Sequence, residues 1–338
     1  MISPLEKNRV REKAKERDMK NNTSRKTWDE NVLILKSGLE RIYQIDPELP
    51  YSDIDVDESG EKVGAQSFKS DKGYTIRISL NLINKYKGVL KRVFKDENDI
   101  YEKKSFKKYS KWKKELFDTL FEYGLEFLVL HEYSHIRDGH LDFLYENQES
   151  KGNTELIRTL EYHADHSAVC MFIGEGFVNN FYKREGILNE IPLYVLAAYI
   201  QINLIKSLDY SWEIEDINYY EILQDNHPLF GFRQYALLDS VISKLNMHTD
   251  GETVKQIINN TRVLISDFEE VKQKNNKLDL KKIPFMIGFT KDGHAKLKEI
   301  HESWKLYKNK IERYAYRNPG FYSEWVDTPS ELFIDNKL

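Results

Sequence analysis

Two histidines four residues apart set out the chemistry this chain is equipped for. His131-Glu132-Tyr133-Ser134-His135 sits in the run FLVLHEYSHIRDGHLDF, an HExxH pattern in apolar surroundings. On a helix, residues i and i+4 share a face, so both imidazoles can offer a nitrogen to one metal ion. Glu132 lies on the neighbouring side, where a carboxylate can take a proton from a water that the metal activates. A zinc ion that hydrolyses needs a third protein ligand and one open position. Glu161, in LEYHADHSAVCMF, is the best candidate. Glu161 and Asp165 are again i and i+4, so Glu161 can bind the metal while Asp165 accepts a hydrogen bond from a ligand imidazole and fixes its tautomer. His140 is the rival third ligand, but it falls off the ligand face if the HExxH helix continues. The plainer alternatives are a helix that merely carries two histidines and a glutamate, and an acidic pair on a solvated surface. The apolar neighbours Leu160, Ala164, Ala168 and Val169 weigh against the second.

A third piece follows, Asn226-His227-Pro228-Leu229-Phe230-Gly231-Phe232-Arg233. HExxH, then Glu161-Tyr162-His163-Ala164-Asp165, then His227-Pro228 with Arg233, resembles in order the gluzincin metallopeptidases of the CaaX prenyl protease and heat-shock membrane protease type. That resemblance implies an oxyanion-stabilising role for His227 and support of the active-site cleft by Arg233. His163, His166 and Tyr133 join Arg233 as substitutes for the His227 role. A metzincin would place Gly at 138 and His at 141, where this chain has Asp138 and Leu141. The resemblance covers three short motifs, and those relatives carry transmembrane helices that this chain lacks. HEYSHIRDGHLDF also resembles the soluble phage-exclusion Lit peptidases, which cleave elongation factor Tu.

The elements that must position these residues can be read from apolar spacing. Lys114 to Leu130 predicts a helix leading into the motif, with Leu116, Leu120, Phe127 and Leu130 on its apolar side. Leu156, Leu160, Ala164 and Ala168 predict a second helix beneath Glu161. Upstream, Trp28 to Ile45 reads as an amphipathic helix ended by Pro47 and Pro50. Tyr74, Ile76, Ile78 and Leu80 alternate with polar residues, a half-buried strand. Ser70-Asp71-Lys72-Gly73 is a turn signal that makes Val63 to Lys69 its hairpin partner. Leu80 to Phe94 is helical and Lys95 to Lys111 is a charged connector. Helices are expected over Pro192 to Leu208, Tyr235 to Leu245, 252–275 and 291–315. Asp209 to Asp225 is an aromatic, acidic stretch, either a cleft wall or a surface loop. The longest apolar stretch, Ile191 to Ile205, is broken by Gln201 and Asn203 and is too short to span a bilayer.

The whole is expected to be mainly α with a small antiparallel β-sheet: a basic segment over 1–27, a zincin-like metallopeptidase domain over 28–250 and a helical extension over 251–338 packed on it. Hydrophobic residues at 40%, charged residues at 31% and a net charge of −4 describe a soluble globular chain without global polyanion-binding character. Cys170 is the only cysteine, which excludes an internal disulfide and fits a reducing compartment. With no apolar leader visible, the expected location is the cytoplasm. Residues 1–27 hold nine Lys/Arg against four acids. That suits a solvated helix or tail, or a docking arm for nucleic acid, although no aromatic interleaves it as a stacking surface would need. The expected function is zinc-dependent hydrolysis of a peptide bond in an intracellular protein, in phage defence or a mobile-element system. The alternative is a catalytically silent zincin fold that binds a partner or nucleic acid.

Overall fold

The helix that carries His131 and His135 is apolar on nearly every side, and burial follows from that. In the computed structural model it runs Lys113–Arg137 (α3), and from Tyr123 to Ile136 every residue is buried. A helix without a polar face has to be enclosed by other elements, and α3 packs against the sheet and four other helices. The described residues are 31–44, 46–59, 64–71, 73–94, 99–111, 113–178, 184–209, 230–246, 249–272 and 291–316.

The described residues open with a helix over 31–44 (α1), where Leu35, Leu39 and Ile42 face inward as their spacing predicts. Three strands follow, Ser52–Asp57 (β1), Ala65–Ser70 (β2) and Gly73–Ser79 (β3), in the order β1-β3-β2. The β2–β3 hairpin is antiparallel, as the turn signal at 70–73 predicts. The sheet is nevertheless mixed and not antiparallel, because β1 joins the other side of β3 in parallel, pairing Ile54 with Ile76 and Val56 with Ile78. β1 (SDIDVD) has too few apolar residues to declare itself. It forms because β3, with Tyr74, Ile76 and Ile78 buried, offers a free ladder. Its carboxylates line an edge, where Asp55 meets Arg77 at 2.6 Å, and edge charges discourage further pairing.

Helix Leu80–Val93 (α2) is capped by Ser79, whose hydroxyl accepts from the Asn81 N–H. The connector after it is not simply charged: Ile100, in one short 3-10 turn, and Phe106, just before a second, are fully buried. After α3 come His140–Glu146 (α4), Thr154–Val178 (α5), Arg184–Asp209 (α6), Phe230–Asn246 (α7), Gly251–Lys272 (α8) and Lys291–Ile311 (α9). α6 starts eight residues before the expected Pro192, which lies inside the helix. Its long buried run, Ile191 to Ile202, packs on α3 and α8. α5 lies between α3 and α7, with Leu156, Leu160, Ala164 and Ala168 buried, and α9 crosses its other side. Among the described residues no helix is long and apolar enough to cross a membrane. The basic segment 1–27, the stretch 209–225 beyond Asp209, and His227 lie outside the described residues.

Candidate metal centre

α3 and α5 cross so that the two sequence motifs face one another. His131 Nε2 and His135 Nε2 are 3.4 Å apart. Glu161, reaching over from α5, places Oε2 3.4 Å from His131 Nε2 and Oε1 3.5 Å from His135 Nε2. The two nitrogens and the carboxylate form a rough triangle in which each imidazole faces a different carboxylate oxygen. Ligands at about 2.0–2.1 Å around a tetrahedral ion are spaced by about 3.3–3.5 Å, the range in which these donors stand. The His and Glu side chains can therefore hold a metal ion. The site opens on the Glu161 side: its side chain is 26% exposed, against 7% for His131 and 11% for His135.

Behind His131 the supports are charged. Asp165, fully buried, sets Oδ1 2.8 Å from His131 Nδ1. That contact favours a proton on Nδ1 and leaves Nε2 as the nitrogen that a metal ion would take. Arg233, from α7, clamps Asp165 with both arms, Nε to Oδ2 at 2.7 Å and Nη2 to Oδ1 at 3.0 Å, and reaches Glu161 Oε2 at 3.4 Å. Burial alone would lower the His131 pKa, but Asp165 and Glu161 overcome it and raise it to about 10. Burial would raise Glu161 and Asp165; Arg233 and the imidazoles beside them hold both carboxylates below the usual range. A cluster that draws a proton so strongly onto His131 is short of positive charge, which a bound metal ion would supply while displacing the proton. Glu132 is buried on the same turn, close enough for its charge to be felt by His135 and Arg233.

Behind His135 the supports are neutral. α3 does not continue past Arg137, which corrects the placement of His140. Gly139 adopts φ +78°, and α4 begins at His140. A Cβ at residue 139 would lie 2.4 Å from the Tyr314 carbonyl carbon, so glycine is required both by the left-handed backbone and by the close passage of the C-terminal segment. The turn brings His140 back under His135, Nδ1 to Nδ1 at 3.0 Å. His140 Nε2 lies 2.9 Å from His163 Nδ1, and the His163 ring stacks on Trp304 of α9 at 3.8 Å. Burial, then the neighbouring imidazoles, lower His140 and His163 well below the ordinary histidine value. His135 is lowered too, chiefly by burial.

The structure thus brings together His131, His135, Glu161, Asp165 and Arg233, with Glu132 alongside. Of the named substitutes for His227 it keeps Arg233 beside Glu161 and turns the other three elsewhere. Tyr133 donates to the Pro50 carbonyl at 3.2 Å, His163 is engaged by His140, and His166 meets Ser240 Oγ at 2.9 Å. Cys170 is a buried core thiol, pushed up to about 12 by burial. His140 is the residue whose part the spacing hid; the Asp138-Gly139 turn signal was the available clue.

Compared with protein-family models, with curated proteins and with solved structures, the chain matches none. Its own geometry is what carries a function.

Proposed function

We propose that the chain is a zinc-dependent peptidase of gluzincin type, hydrolysing a peptide bond in a protein or peptide substrate. The observation that carries this reading is the convergence of His131 Nε2, His135 Nε2 and the Glu161 carboxylate, with the nitrogens 3.4 Å apart and each 3.4 to 3.5 Å from one of the two carboxylate oxygens. Two neutral nitrogens and one carboxylate suit zinc among the common divalent ions, and three protein ligands leave a position open for chemistry. Such an ion supplies Lewis acidity, activating water near neutral pH and polarising a carbonyl.

The chain's own residues do the rest. Asp165 holds the His131 ring with its proton on Nδ1. Arg233 neutralises Asp165 and steadies Glu161. Glu132 accepts the proton of the attacking water and returns it to the leaving amine, which requires approach to about 3 Å. His227 donates to the oxyanion in this reading, on the strength of the motif resemblance. The peptide would lie along the outer edge of β2, an unpaired edge among the described residues that packs against α3 and α4.

The test uses Glu132→Gln, which keeps shape and removes the basic carboxylate. Zinc content and fold should survive while peptide hydrolysis falls by about 10²–10⁴-fold. The variant should also retain its protein target in a pull-down. A chain whose biological effect is unchanged by Glu132→Gln acts by binding and not by hydrolysis.

A further inference from the structure

Asp138, His140 and His163 form a second buried cluster of groups that could each offer a ligand atom. Its spacing differs from that of the first. His140 Nε2 and His163 Nδ1 are 2.9 Å apart, the length of a hydrogen bond and less than the separation of about 3.3–3.5 Å that two ligands of one tetrahedral ion need. Asp138 is already occupied: Ser167 Oγ donates to its Oδ2 at 2.7 Å, and Arg137 Nε donates to its Oδ1 at 2.7 Å. The cluster has the geometry of a hydrogen-bonded chain and not of a second ion site.

The direction of that chain follows from the triad. His135 presents Nε2 to His131 and Glu161, so its proton sits on Nδ1. His140 Nδ1, 3.0 Å away, must then accept. A neutral imidazole that accepts at Nδ1 carries its proton on Nε2 and donates it onward, here to His163 Nδ1 at 2.9 Å. Trp304, stacked on His163 at an interplanar angle of 12°, fixes the last ring. We propose that His140 is a positioning residue for the metal site: the relay His135–His140–His163, closed by Trp304 of α9, holds the His135 ring in the tautomer and orientation that aim Nε2 at the ion. This rests on reading His131, His135 and Glu161 as the metal centre. It makes an imidazole do behind one ligand what the Asp165 carboxylate does behind the other, and it ties the C-terminal helix α9 to metal affinity.

The experiment measures Zn2+ affinity by chelator competition in the full chain, together with ¹⁵N-resolved ring N–H spectra. In the wild type, one zinc binds, and one exchange-protected ring proton is seen in each of the two imidazole–imidazole bonds. His140→Ala should weaken zinc by about 10–100-fold and abolish both signals. His140→Gln, whose amide oxygen can accept from His135 and whose NH2 can donate to His163, should restore most of the affinity and the protected His135 proton. Zinc binding of wild-type tightness in His140→Ala, or zinc-loaded wild type without protected ring protons, overturns the relay. Two zinc ions per chain, one lost on His163→Gln, overturns it in favour of a second ion site. A wild-type chain that binds no zinc overturns the metal reading itself, a result distinct from the others. Spectra of the wild type and of His140→Gln keep the test decisive should His140→Ala not fold.

Discussion

His131 and His135 stand one turn apart on the same helix face, and the protein treats them in opposite ways. Behind His131 lie Asp165 and Arg233, a buried ion pair, and the imidazole is pushed up to about 10. Behind His135 lie the rings of His140, His163 and Trp304, with the Asp138 carboxylate no closer to His163 Nδ1 than 3.7 Å, and the imidazole is pushed down, chiefly by burial. The two rings differ in what α5, α7 and the turn at Gly139 bring to their Nδ1 atoms, not in local sequence. One ligand is made electron-rich by a carboxylate; the other is kept neutral and oriented by a neutral acceptor. Together they give a site that could hold a metal ion without requiring every supporting group to be charged.

The comparison can be broken at its common end. His135→Ala removes one corner of the triangle and should abolish stoichiometric zinc binding, as elemental analysis of the purified variant would show. Retained zinc would mean that the ion, if any, sits elsewhere.

pH separates the two halves next. In the metal-free protein His131 has a raised folded-state value, so its stabilising contribution is complete below about pH 6.5 and is lost as pH rises through about 10. Its size is at most roughly 5 kcal/mol, since each tenfold gain in proton affinity is worth about 1.4 kcal/mol. Zinc-loaded protein holds His131 as a neutral ring and should lack this slope. Thermal melts from pH 6 to pH 10 with and without zinc would show the difference, and parallel curves would remove the charged half from the comparison.

Asp165→Asn keeps the shape behind His131 but takes away the charge. Zinc affinity should fall by about 10–100-fold, with the protein still folded, in the same chelator assay. A fall no larger than about threefold would place the orientation of His131 with the helix alone. The smallest effect is expected at His166, which belongs to neither half. Ser240→Ala removes the hydroxyl beside His166 Nδ1, should cost about 1 kcal/mol in denaturant unfolding, and should leave zinc content unchanged.

Much of this was legible in the chain. HExxH fixes the separation of two imidazoles because helix geometry is local, and the Glu161/Asp165 pair is legible for the same reason. The helices over 31–44, 80–93, 113–137 and 154–178 follow from apolar period, and the β2–β3 hairpin follows from its turn. Each of these depends on neighbours within about one or two turns. β1 was not legible, because SDIDVD becomes a strand only when β3 is there to pair with it. The run through Asp138 reads as continuing helix, although Gly139 ends it.

That α5 meets α3 at Glu161, that Arg233 arrives from α7 to lock Asp165, and that Trp304 closes the ring stack from the far end of the chain are tertiary facts. Sequence by itself determined the donor types and their spacing along each helix, since the helical repeat of about 3.6 residues per turn decides which side chains share a face. Only the packing of the helices decided what stands behind each ring. An imidazole accepts whichever partner its buried surroundings supply, and those partners come from segments whose approach no local pattern encodes.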